Sequence, residues 1–349
     1  MCNIAGYSGN KQAAPILLEM LRRQQPYDGD MSTGIATIHE GKLHYRMIVG
    51  DVDKLIRETD VLDLPGTIGI AHTRPSGDPA QVPMHPNFNS DRSMAIVTNG
   101  TSPISHYCDK WDAAADRLEQ WGYVFEKRFP NPKNNHIKLS SNGDRVCAPE
   151  VRVKLMEQYM KQGMSITKAM ATACADIYCD NVSVVINQDY PDRIFALRTT
   201  RPMYALLENG EAYMATTRYG FAEELHNEPV MLPLHYACAV SKDGIHISAD
   251  KMDIEPVMEM TPYTYAEAYK RFEALLKSDK APVYFDDLEH AVGREMRDLW
   301  PDDHVYVQHA RLVYDMLWQF DQEGRLKREM RLQDHPNGKR HRWYFWLED

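Results

Sequence analysis

Strand signal in this chain falls into two blocks, one within the first hundred residues and one over residues 182–240, and helical segments flank each. In the first block the run Cys2-Asn3-Ile4-Ala5-Gly6-Tyr7 reads as a short strand. Residues 34–38 and 42–49 read as two strands joined by a turn at Glu40-Gly41, with further strands at 69–73 and 93–97. In the second block, residues 183–187, 193–197 and 202–207 are strands separated by polar turns. Helices are expected over residues 13–23, with Ile16, Leu17, Met20 and Leu21 on one face, and over about 111–121 and 149–161. Runs of strands between runs of helix predict an α+β sandwich rather than a βαβ repeat.

The pattern changes near residue 260, where a domain boundary is expected, so residues 1–260 form the main domain and 261–349 a tail. A chain of 349 residues accommodates two such units. The tail reads as helices over 265–277, 285–299 and 307–322, then strands over 326–332 and 341–347 around Asn337-Gly338, an order resembling a winged helix. On the last helix Val307, Ala310, Val313, Tyr314, Leu317 and Trp318 share an apolar face that should pack on the tail's own core. In the hairpin Leu326, Met330 and Leu332 share one face, and Lys327, Arg331, Lys339, Arg340 and Arg342 are expected to make an exposed basic surface. The net charge of −10 and the acids Asp298, Asp302, Asp303, Asp315 and Asp321 oppose phosphate binding, so a docking or dimerisation module, with homo-oligomer formation through the tail, is favoured over nucleic-acid binding.

Charges interrupt the apolar stretches short of membrane-spanning length, and the start lacks a secretory pattern, so a cytoplasmic protein without membrane partners is expected. The six cysteines form no CxxC pair and no zinc-ligand spacing, and neither a metal nor a cofactor is expected. Cys2 stands apart by position. Removal of Met1 would leave a thiol beside a free α-amine, which couples a nucleophile to a base without a separate histidine. Attack on an amide carbonyl then needs oxyanion donors, and Asn99-Gly100, after an apolar run, can supply a side-chain amide and a backbone N–H, although the same dipeptide also reads as a hairpin turn. Arg74, ending another apolar strand, can hold a carboxylate or make a plain ion pair.

These elements, in this order, resemble the class II glutamine amidotransferases, the N-terminal-nucleophile glutaminases. Cys2-Asn3-Ile4-Ala5-Gly6 is similar to the family's Cys-Gly-Ile-Val-Gly, Ser32-Thr33-Gly34-Ile35-Ala36 to its Ser-Ala-Gly-Ile-Ala, and Gly69-Ile70-Ala71-His72-Thr73-Arg74 to the strand with its carboxylate-binding arginine. His85-Pro86 and Asn99-Gly100 match in turn, and the likeness extends over about residues 1–245. The resemblance implies a four-layer αββα sandwich, Cys2 as nucleophile toward glutamine or a related small amide, Asn99 and Gly100 as oxyanion donors, and Arg74 on the substrate carboxylate. For the acid that receives the substrate amine it offers two placements: a direct alignment that leaves Ala148 there, or a gap that brings in Asp144.

The chain departs from the family at Asn3, at the shortened Pro75-Ser76-Gly77, and at Tyr27-Asp28-Gly29-Asp30-Met31, which lacks an arginine. The leading expectation is a glutaminase that can pass ammonia to an acceptor or partner synthase. A hydrolase of another amide, and an inactive ligand sensor signalling through the tail, are the competing readings.

Overall fold

The computed structural model describes residues 2–75, 84–103, 108–126, 128–130, 144–254, 260–299, 309–334 and 339–348. In chain order the first half comprises β1 (Asn3–Ser8), α1 (Ala13–Gln24), β2 (Ser32–His39), β3 (Lys42–Val49), α2 (Val52–Glu58), β4 (Ile68–Arg74), β5 (Asn87–Phe88), β6 (Met94–Pro103), α3 (Cys108–Gln120), β7 (Arg128–Pro130), β8 (Asp144–Val146), α4 (Ala148–Lys161) and α5 (Ile166–Asp176). The second block of strands follows: β9 (Cys179–Asn187), β10 (Arg193–Arg198), β11 (Tyr204–Glu208), β12 (Glu211–Ala215), β13 (Val230–Met231), β14 (Tyr236–Ser241) and β15 (Gly244–Lys251). The tail contains α6 (Pro262–Leu276), β16 (Val283–Tyr284), α7 (Phe285–Glu295), α8 (His309–Gln322), β17 (Leu326–Gln333) and β18 (Arg340–Leu347).

Two large sheets carry the strands between residues 3 and 251 outside β7 and β8. One has the order β13-β11-β12-β1-β4-β2-β3, and the other β15-β14-β10-β9-β6-β5. Ile4, Ile70, Val97, Val184 and Met214 fill the space between the sheets. Leu17, Leu18 and Leu21 of α1 pack with Ala5, Tyr7 and Ala71 on the outer face of the first sheet, while Val153, Leu155 and Met170 of α4 and α5 cover the second. Helix, sheet, sheet and helix are therefore stacked as the four expected layers. β1 is buried on both faces because Ile4 points inward and Ala5 and Tyr7 outward, the period of two that a central strand requires.

The short periodicity signal hid two helices, α2 and α5. Each is set by an N-cap: Asp51 accepts from Lys54 N, and Ser165 accepts from Lys168 N. Asn99-Gly100 is not a hairpin turn. It lies within β6, where the register with β9 shifts between Asn99 and Ser102.

In the tail, β16, β18 and β17 form a sheet in that order. Its core takes in Tyr27 of the main domain, which stacks on Phe345 and meets Phe285 edge-on. Two tail expectations are corrected. Arg342 is only 3% exposed and Arg340 is drawn onto Asp30, so these two cations turn toward the main domain and not to solvent, because a buried carboxylate there needs their charge. Met330 and Leu332, in contrast, are exposed on β17, the edge strand of this sheet. The Asn337-Gly338 turn, Ser76-Gly77, Asp302, Asp303 and Val307 lie outside the described residues.

Candidate active site

Cys2 is half-buried at the head of β1. The antiparallel register pairs Asn3 with Thr73, so the next step sets Cys2 beside Arg74, the last residue of β4. Alternation along β1 puts Cys2 on the face of Ile4, toward the space between the sheets, and sends Asn3 to the opposite face. There the buried Asn3 amide donates to the Asp28 carbonyl and, at 3.1 Å, to the Thr73 hydroxyl. Asn3 thus fastens the 27–31 loop to the strand headed by Cys2. Gly29, with a φ of 98°, closes that loop tightly: a Cβ there would stand 2.6 Å from Thr73 Oγ1 and 2.7 Å from Asn3 Nδ2.

Asn99 belongs to the other sheet. It is 1% exposed, lies two residues beyond the inward-facing Val97, and its Nδ2 has no hydrogen-bond partner among the described residues. A buried amide donor without an acceptor is costly and calls for a ligand atom. Gly100 follows at a φ of 89°, and a Cβ on it would lie 2.1 Å from the Asp180 carbonyl oxygen, so only glycine fits the bulge as it stands. Asp144 opens β8 and pairs with Pro130 of β7; its side chain lies outside the described residues.

Three features close to these residues carry no local sequence signal as a site. His72 Nε2 meets the Thr98 carbonyl at 3.0 Å, which ties β4 to β6 immediately before Asn99. Burial, reinforced by Arg74, pushes its pKa down to about 3, so the ring is neutral and Nε2–H donates. Asp180, fully buried, pairs with Arg201 at 2.6 Å and accepts from the Thr200 hydroxyl. Burial works against the Arg201 charge, but Asp180 and then Glu289 outweigh it and hold the guanidinium above its ordinary pKa. Asp28, Asp286 and Glu289 bring ligand oxygens within 4.8 Å of one another, two of them from the tail helix α7, an arrangement able to hold a cation. Each grouping joins residues far apart in the chain, so no spacing rule finds them.

A cavity of about 550 Å³ opens elsewhere, at the junction of the main domain and tail, between Tyr27, Arg218, Tyr219, Trp318, Arg328 and Trp343. Cys2, Arg74 and Asn99 do not line it. Among the described residues, no helix is long and apolar enough to cross a membrane.

No family model matches the chain. It is 30% identical over 221 residues to a glutamine–fructose-6-phosphate aminotransferase (isomerizing) of Bacteroides thetaiotaomicron, covering 62% of this chain and 32% of that protein. It is likewise 32% identical over 219 residues to the enzyme of that name from Pseudomonas aeruginosa, covering 62% and 32%. The chain thus spans about a third of the length of these curated relatives. Among solved structures, a glutamine phosphoribosylpyrophosphate amidotransferase from B. subtilis superposes with a TM-score of 0.59 at 12% identity, covering 98% of this chain and 71% of that one. That likeness speaks for the fold. The sequence likeness to the aminotransferases, together with the two-sheet sandwich that heads β1 with Cys2, supports a domain like the glutaminase domain of the class II glutamine amidotransferases.

Proposed function

We propose that this protein hydrolyses the side-chain amide of glutamine through a thioester on Cys2. With Met1 removed, the α-amine takes the thiol proton, and Sγ attacks the amide carbon. The oxygen becomes an oxyanion held by Asn99 Nδ2 and the Gly100 N–H, while Arg74 receives the substrate carboxylate. The protonated amine returns its proton to the departing nitrogen, ammonia leaves, and water cleaves the thioester by the reverse sequence. The observation that carries this reading is the buried Asn99 amide nitrogen, without a hydrogen-bond partner among the described residues, on the sheet that faces the one headed by Cys2.

The ammonia is delivered to an acceptor or partner synthase, a reading supported by the likeness to proteins named glutamine–fructose-6-phosphate aminotransferase. Residues 261–349 act as a winged-helix-like docking module. Support for that lies in the order helix, short strand, two helices and hairpin, and in a sheet where β18 lies between β16 and β17. The test is mass spectrometry of the intact protein after exposure to an electrophilic glutamine analogue. One adduct on a chain lacking Met1, absent in Cys2→Ser, is expected together with ammonia release from glutamine. Ammonia release from another amide and not from glutamine would replace the substrate and keep the nucleophile.

A further inference from the structure

The cavity at the junction of main domain and tail is built from rings and charges of both parts. Its volume of about 550 Å³ lies within the range of small-molecule sites, roughly 300–1,000 Å³. Tyr219 stacks on Tyr27 with ring centroids 4.6 Å apart, and Trp318 meets Tyr219 edge-on at 5.2 Å. The Arg328 guanidinium lies 5.7 Å from the Tyr219 centroid and 5.1 Å from that of Trp343, and its Nη1 donates to the Tyr27 hydroxyl at 2.8 Å. The hairpin register accounts for this meeting. Arg328 pairs with Phe345 and Met330 with Trp343, so Arg328 and Trp343 share the sheet face that carries Leu326 and Phe345 into the tail core. On α8, Trp318 and Asp321 stand three residues apart and share one face.

The charges around the cavity divide into matched and unmatched ones. Arg23 pairs with Glu19 at 3.3 Å, Arg218 pairs with Glu228 at 3.1 Å, and Glu223 is exposed. Arg328 and Asp321 remain. Among the described residues neither makes an ion pair, and the Asp321 side chain makes no hydrogen bond, although both line the cavity. Opposite charges that face one cavity without closing on each other suit a ligand that carries both signs. A simple cation there meets Arg328, and a simple anion meets Asp321.

We propose that this cavity binds an α-amino acid with an aromatic side chain, its carboxylate on Arg328, its ammonium on Asp321 and its ring among Tyr219, Trp318 and Trp343. Arg328 is prepared for that task, because two ring faces and the Tyr27 hydroxyl fix its planar fork before a carboxylate arrives. The aromatic walls offer the offset and edge-on contacts that a further ring prefers. Cys2, Arg74 and Asn99 do not line the cavity, so the site stands whether or not the chain hydrolyses glutamine.

The experiment titrates the full chain with L-phenylalanine by isothermal calorimetry. Three analogues are run beside it: phenylethylamine without the carboxylate, 3-phenylpropanoate without the ammonium, and L-alanine without the ring. One L-phenylalanine per chain is expected to bind saturably, with each analogue at least about tenfold weaker. Arg328→Gln and Asp321→Asn, each checked for an unchanged melting temperature, should weaken L-phenylalanine about tenfold, as befits the loss of one charge-assisted hydrogen bond. No saturable binding below about 10 mM overturns the site, as does an analogue that binds as tightly as L-phenylalanine or a folded variant that keeps full affinity. Hydrogen exchange of the unaltered protein locates the ligand without any variant. Slower exchange in peptides of α8 and β17 with saturating L-phenylalanine supports the site, and unchanged exchange in both overturns it.

Discussion

Arg342 and Asp30, 312 residues apart, face each other through two charge-assisted hydrogen bonds, Nη1 donating to Oδ2 at 2.7 Å and Nη2 to Oδ1 at 2.8 Å, with both side chains nearly buried. Arg340 adds a bond to the Asp30 carbonyl at 2.9 Å, and the Trp343 N–H donates to the Pro26 carbonyl at 3.0 Å. The last strand of the tail is therefore pinned to the loop that also carries Asp28. Any movement of the tail must act on that loop.

Removing one partner of this pair strands a buried charge. Arg342→Ala is expected to cost about 3–5 kcal/mol in urea unfolding. Asp30→Asn combined with Arg342→Met should cost clearly less than the sum of the single changes, because the two groups compensate each other. An additive double variant would show that the pair is not coupled.

Asn99→Ala separates catalysis from stability. Loss of one oxyanion donor is expected to lower kcat for ammonia release about 10²–10³-fold with KM little changed. Stability should fall by less than about 1 kcal/mol, since the amide nitrogen has no partner among the described residues to lose. Equal losses in activity and stability would make Asn99 structural.

His72 links pH to stability. Its folded pKa, pushed down to about 3, lies below the ordinary 6.5 of the unfolded chain. The unfolded state therefore takes up the proton first, and the stability that a neutral His72 provides is present above pH 6.5 and lost as pH falls toward 3. Between about pH 7.5 and 5.5 this amounts to roughly 1.4 kcal/mol. His72→Gln, which keeps a donor for Thr98, should show a shallower decline over that range, measured by denaturant titration at each pH.

Gly100→Ala meets both a left-handed backbone and the Asp180 carbonyl. A loss of at least about 1–3 kcal/mol is expected, with ammonia release reduced as the bulge shifts. Retained stability and activity would show that the bulge relaxes freely.

Much of the main domain is legible in the sequence because strand alternation and helix periodicity are local. The outer helix α1 and the strands around Gly69 and Lys42 follow from their own side chains. The order of Cys2, Arg74 and Asn99-Gly100 also stands in the sequence, since strand ends carry all but the last pair. The α2 and α5 helices were hidden because a cap and a short amphipathic stretch leave little periodic signal.

What the tertiary structure alone decided is the partnership of distant charges. A row of arginines in a hairpin reads as an exposed basic wing, yet Arg342 and Arg340 are consumed by Asp30, because the free energy of a buried carboxylate depends on which chain segment folds over it. The same holds for Asp28 with Asp286 and Glu289, and for Asp180 with Arg201. Sequence determined the layered sandwich and the place of Cys2 at the head of its first strand. Only the packing of the tail on the 27–31 loop brought Asp286 and Glu289 from the far end of the chain to Asp28, since electrostatic contacts form across space and leave no period along the chain.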